Sequence, residues 1–184
     1  MYKRQLYRAV VQGGFPIVER RNHSIYVKYY EKYGVGLDAA IFPGVKDLKF
    51  ENDTDAYLLI QTYIEGQEMI VNIYGVPTGR AVVLKGPFFK TNAPGGLLVR
   101  DRPLKDNEIA WIQHITFSNG TQQENLLVSQ YRTGVPSSIA AKHAVEQKEN
   151  APLRGSPFAA SLFSYPMYHF EDIIQDLKEG VEML

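Results

Sequence analysis

His23 stands in the run Glu19-Arg20-Arg21-Asn22-His23-Ser24, at the mouth of a β-branched and aromatic stretch from Ile25 to Tyr30. An imidazole titrates near neutrality, so at such a position it can act as a general base or a ligand, and equally as a hydrogen-bonded loop residue. His23 is the candidate catalytic residue. His114 falls in a strand on the face opposite Trp111, while His143 and His169 belong to a linker and a final helix. None of these three is placed as a catalytic candidate.

A second polar group lies between Gly36 and Gly75, where Asp38, Asp47, Lys49, Asn52, Asp53 and Thr54 are the candidates for ligand binding. Asp38, Asp47, Asp53 and Asp55 could supply part of the oxygen shell of a hard cation. Their spacing matches no calcium loop, however, and Asn52-Asp53-Thr54-Asp55 has the composition of a turn whose side chains bond backbone N–H groups two residues on. No metal and no cofactor is assigned. Two of these carboxylates could in principle pair for glycoside hydrolysis, but nothing in the sequence fixes their separation. The chain has no Gly-x-Ser-x-Gly elbow and no phosphate-loop spacing. It has no cysteine either, which removes a thiol nucleophile, a disulfide and a zinc–thiolate site from these 184 residues.

The elements that must position these groups are mostly strands. Leu6, Ala9 and Val10 recur at helical spacing before Gly13-Gly14, so a short helix is predicted over residues 4–12. Strands are predicted at 25–30, and at 37–42 and 45–50 around a Pro43-Gly44 type II turn. Tyr57–Ile64 should pair with Met69–Tyr74 through Glu65-Gly66-Gln67, giving one dry face and one mixed face. Ala81–Leu84 continues the pattern, followed by a Pro/Gly-rich excursion. Ile109–Phe117 and Thr121–Tyr131 flank Ser118-Asn119-Gly120, a strong hairpin signal that puts Trp111, Gln113, Ile115 and Phe117 on one face. Phe170, Ile173, Ile174, Leu177, Val181 and Leu184 follow the spacing of an amphipathic helix. The expected class is α+β: predominantly antiparallel β with a short N-terminal helix and a C-terminal amphipathic helix. The expected division is a β-rich domain over 1–133, a linker or loosely packed arm over 134–157, and a helical segment over 158–184.

Lysine plus arginine and aspartate plus glutamate number 20 each, so no net field draws in nucleic acid. The charge is uneven: residues 1–33 hold seven Lys/Arg against two Glu, and the last twenty hold one Lys against five acids. No apolar run reaches the length of a membrane span.

The segment LYRAVVQGGFPIVERRNHS, followed by GLDAAIFPGVKDLKFENDTDAYLLIQTYIEGQEMIVNIYG, resembles the VanW-like family. The resemblance is carried by Leu6-Tyr7 with Ala9, Ile17-Val18-Glu19-Arg20, His23-Ser24, Gly36-Leu37-Asp38-Ala39, Asp47-x-Lys49-Phe50-x-Asn52-Asp53-Thr54 and Ile73-Tyr74-Gly75. The hairpin ending in Ser129-x-Tyr131-Arg132 also looks like the family's downstream strand pair, and past about residue 135 the resemblance ends. Family members usually carry a Cys-Gln pair just ahead of the Leu-Tyr helix, which would fall immediately before Met1. The expectation is therefore an N-terminally truncated domain. The family's two-histidine element here reads Glu19-Arg20-Arg21-Asn22-His23, so Arg21 replaces the first histidine.

The resemblance implies a protein of the Gram-positive cell envelope, extracytoplasmic or membrane-anchored at full length, associated with vancomycin resistance. It implies peptidoglycan or a cell-wall precursor as partner, with no nucleic acid. Two alternatives stand beside this: half of a cysteine-dependent acyltransferase, in which a thiol at a helix N-terminus would be activated by histidine, or a purely structural module.

Overall fold

A computed structural model describes residues 3–26, 34–66, 68–136 and 138–139. Among the described residues, one helix, α1 (Lys3–Gln12), precedes seven strands: β1 (Ile17–Glu19), β2 (Lys49–Phe50), β3 (Leu59–Glu65), β4 (Glu68–Tyr74), β5 (Ala81–Phe88), β6 (Glu108–Thr116) and β7 (Gln122–Gln130). They form three small antiparallel sheets, β1-β2, β3-β4 and β5-β6-β7. The α+β class, dominated by antiparallel strands behind one short helix, is as the sequence implies. The C-terminal amphipathic helix and most of the 134–157 arm lie outside the described residues, as do His143, His169 and the strand expected beyond Tyr26.

Helix α1 buries Tyr7, Val10 and Val11, the i, i+3, i+4 stripe that faces a core. It stops at a Schellman cap: Phe15 N–H donates to Val10 O at 3.1 Å and Gly14 N–H to Val11 O at 3.1 Å. Gly14 takes the left-handed φ of 71° that this cap requires. The helix lies against β4 and β5.

The β6–β7 hairpin forms as its pattern predicts, with Thr116 opposite Gln122 and Phe117 N–H donating to Thr121 O at 2.9 Å. On the inner face of β6, Gln113 and Ile115 are buried and Trp111 partly so. Gln113 Nε2 donates to Val11 O at 2.6 Å, tying the end of α1 to the sheet. Strand β5 runs on to Phe88, past the limit set by its Pro/Gly-rich sequence, with an irregularity between Lys85 and Phe88 that absorbs Gly86-Pro87.

Two expectations fail. Residues 37–42 and 45–50 do not make two strands: Phe42 and Lys46 share a single bridge and only Lys49–Phe50 is extended, paired with β1. The Pro43-Gly44 turn itself forms, with Val45 N–H donating to Phe42 O at 2.9 Å and Gly44 at φ 76°. Its neighbours are drawn instead into the core, where Leu37 and Ala39 pack with Tyr7 and Val11. In the β3–β4 hairpin, all of β3 is exposed and the described side chains of β4 are half-buried, so among the described residues neither face is dry. Alternation there specifies a ladder, and of its two strands β4 is the one that lies against α1.

Val35, Phe89, Ile109, Tyr131 and Ile139 form a second cluster, against which Tyr26, Trp111 and Val135 pack. Residues 135 and 139 thus dock onto the same core.

Candidate functional site

Residues 20–24 belong to no strand, yet they run between two segments and bond to both. On one side Ala40 N–H donates to Arg21 O at 2.7 Å. On the other, two side chains and one backbone bond stand in for a ladder: Arg20 Nη1 donates to Val128 O at 2.8 Å, Asn22 Nδ2 to Gln130 O at 2.7 Å, and the backbone N–H of Arg132 to Ser24 O at 2.7 Å. Positions 20, 22 and 24 therefore march alongside 128, 130 and 132.

This lacing delivers His23 to Asp38. The Asp38 side chain is 4% exposed, and its Oδ2 receives both the backbone N–H of His23 at 2.7 Å and the ring Nδ1 at 2.6 Å. Its Oδ1 receives the Tyr131 hydroxyl at 2.8 Å and lies 3.7 Å from Arg20 Nη2. Burial pushes the Asp38 carboxyl up, but the bonds from His23, the Arg20 guanidinium and the Tyr131 hydroxyl outweigh it and hold the group below its ordinary value. Asp38 is therefore ionised at neutral pH. An ionised Asp38 only accepts, so Nδ1 of His23 carries a proton and donates it to Oδ2. The His23 side chain is 35% exposed.

Arg20 completes the frame. Its side chain is 8% exposed; Nε donates to Asp38 O at 2.8 Å, and Nη2 to Gly36 O at 3.0 Å and Ser129 Oγ at 2.6 Å. The guanidinium also covers the Tyr7 ring at 4.7 Å. Ser129 in turn donates to Gly36 O. Burial pushes the pKa of Tyr7 and of Tyr131 up, so both stay neutral phenols. Beside the pair is a small cleft lined by Ile25, Tyr26, Gly34, Val35, Gly36 and Tyr131.

Of the residues singled out in the sequence, His23 and Asp38 come together and the others bond elsewhere. Asp47 accepts from Leu48 N–H at 2.9 Å, and Lys49 pairs with Glu19 at 2.8 Å, which raises the lysine. Asn52 Oδ1 accepts from Thr54 N–H and its hydroxyl, while Asn52 Nδ2 reaches Ala56 O at 2.8 Å. Asp53 pairs with Arg80 at 2.8 Å. Asn119 and Thr121 repeat the Asn52–Thr54 arrangement, so these Asn-x-Thr runs are turn chemistry. Among the described residues, no three His, Cys, Asp or Glu side chains converge to hold a metal ion. No helix among them is long and apolar enough to cross a membrane.

Arg20, Ser129 and Tyr131 are the site residues that patterning missed. Their only sequence signal was the likeness of Glu19-Arg20 and Ser129-x-Tyr131-Arg132 to family elements.

Fold and site define a small β-rich domain built round a histidine oriented by a buried carboxylate. Residues 3–74 match the family model described as VanW like protein, so through that region the chain is similar to that family. No curated protein and no solved structure matches the chain.

Proposed function

We propose that this VanW-type domain recognises peptidoglycan or its precursors at the bacterial cell envelope, with His23 as the group that meets the wall peptide. The observation that carries the reading is the His23–Asp38 pair. A partly exposed imidazole whose Nδ1 is held by a buried, ionised carboxylate is a polar group fixed in direction, which suits recognition of the polar groups of a peptide. The likeness to proteins associated with vancomycin resistance points to the same material. Titrating the 184-residue protein with soluble muropeptides should shift amides in 20–26, 34–56 and 129–132. A titration that leaves all of these unmoved ends this reading.

The same pair favours a second reading, acyl transfer on wall peptides. A base oriented by a third group is what an activated nucleophile needs. The present sequence holds no cysteine, so the thiol would come from outside these residues. Helix α1 places Lys3 about 6 Å along its axis from Tyr7, and Tyr7 lies under Arg20, so a group just ahead of α1 would enter near the site. A longer chain carrying a cysteine there should turn over wall peptides in a thiol-dependent reaction lost in His23→Ala. No turnover would leave recognition alone.

A further inference from the structure

We propose that Tyr131 is a positioning residue for His23, acting through Asp38, so that the working site takes in the end of β7 as well as the family-matched region. This rests on the reading of His23 as the group that handles the proton at the site.

Each oxygen of the Asp38 carboxylate has a separate task. Oδ2 faces His23, and Oδ1 takes the Tyr131 hydroxyl at 2.8 Å. With both oxygens bonded, the carboxylate plane cannot turn about its last bond, and the direction in which Nδ1–H of His23 must point is fixed. Tyr131 is itself held: its N–H donates to Asn107 O at 2.9 Å, and its carbonyl accepts from Asn107 Nδ2 at 2.6 Å. Its ring meets Tyr26 edge-on, with centroids 5.6 Å apart.

Packing alone does not call for a tyrosine at this place. The residue is 4% exposed and sits among Val35, Phe89, Ile109 and Ile139, where phenylalanine would fill the same space without burying a hydroxyl. A buried hydroxyl is tolerated when it has a partner, and here the partner is the carboxylate that orients the histidine. Without that hydroxyl, Oδ1 would keep only Arg20 Nη2 at 3.7 Å, beyond hydrogen-bond length. The carboxylate would then be held through Oδ2 alone, its orientation less tightly fixed, and would hold its charge less well.

Tyr131→Phe keeps the ring and removes the bond. In the full 184-residue protein, the Asp38 carboxyl carbon should titrate at higher pH than in the parent, because one of the bonds that favour its charged form is gone. The Nδ1–H resonance of His23 should shift or broaden as its partner loosens. A merely structural tyrosine would lower the unfolding temperature and leave both signals in place, and that result overturns the proposal. Should Tyr131→Phe fail to fold, the contact is read from the other side by labelling with 3-fluorotyrosine. Asp38→Asn should move the fluorine signal of residue 131, and an unmoved signal overturns the proposal equally. Neither measurement uses a wall peptide, so failure here is distinct from failure of peptide recognition.

Discussion

The guanidinium of Arg20 donates to the carbonyl oxygen of Val128 at 2.8 Å across 108 positions of sequence. The same side chain serves the carbonyls of Gly36 and Asp38 and the hydroxyl of Ser129. One buried fork thus joins three segments that no sheet connects.

Replacing Arg20 with methionine keeps the apolar stem and strips every one of those donors. Because it leaves a buried carboxylate and several carbonyls short of partners, we expect a loss of about 3–5 kcal/mol in urea unfolding at neutral pH. Arg20→Lys should recover only a minor part, since one ammonium cannot reproduce the planar fork. A lysine variant as stable as the parent would show that the fork geometry is not used.

Acid should weaken the fold through Asp38. Its folded-state value lies below the unfolded one, so the folded chain binds fewer protons between the two. That stabilisation is complete above the ordinary carboxylate value of about 4 and drains away as pH falls through the folded value. Glu108, held low chiefly by the Arg102 guanidinium, acts with the same sign. Unfolding free energy followed from pH 6 downward should decline in acid, and the decline should be shallower in Asp38→Asn, with Glu108 supplying the remainder. Superimposable slopes for parent and variant would take Asp38 out of the acid response.

Gly36 should tolerate no side chain. Its φ is 82°, and a Cβ there would stand 2.7 Å from Ile109 Cγ2 in the packed core. Backbone strain of ~1–3 kcal/mol adds to the overpacking cost, so Gly36→Ala should lose roughly 2–4 kcal/mol. Since Gly36 O is also where Arg20 and Ser129 meet, the His23 ring signals should shift in the same variant. Unchanged stability would mean the backbone can step aside.

By contrast, the β3–β4 hairpin should be nearly indifferent to polarity. Leu59 and Ile64 are 54% and 63% exposed. Exchanging either for threonine should move stability by no more than ~0.5 kcal/mol. A loss of several times that would reveal a layer packed on this hairpin.

The sequence was most legible where a local signal had a local answer. The Gly13-Gly14 stop, the Pro43-Gly44 turn and the β6–β7 hairpin each formed where their residues demanded, because caps and turns depend on a few neighbouring dihedrals. Alternation misled at 37–42, where the apolar residues serve the α1 core rather than a ladder partner. At the site, His23 and Asp38 were both singled out, but as members of different groups. Nothing in the spacing of residues 15 apart says that one hydrogen-bonds the other. Arg20 read as one more charge in a polar run, and Tyr131 as the end of a hairpin. Their roles arise from contacts 108 and 93 positions long, which periodicity does not encode.

Side-chain bonds and isolated backbone bonds, not a continuous ladder, lace residues 20–24 between 38–40 and 128–132, and this has a consequence for how the molecule opens. A segment bonded on both flanks to distant parts of the chain has no small excursion that frees it. The amide of His23, donated to Asp38, should exchange with solvent deuterium only when the whole domain unfolds. The hairpin of β3 and β4, exposed along β3 and leaning on α1, should exchange through its own shallower opening. One chain would then hold two clocks, with the slow one set at the histidine.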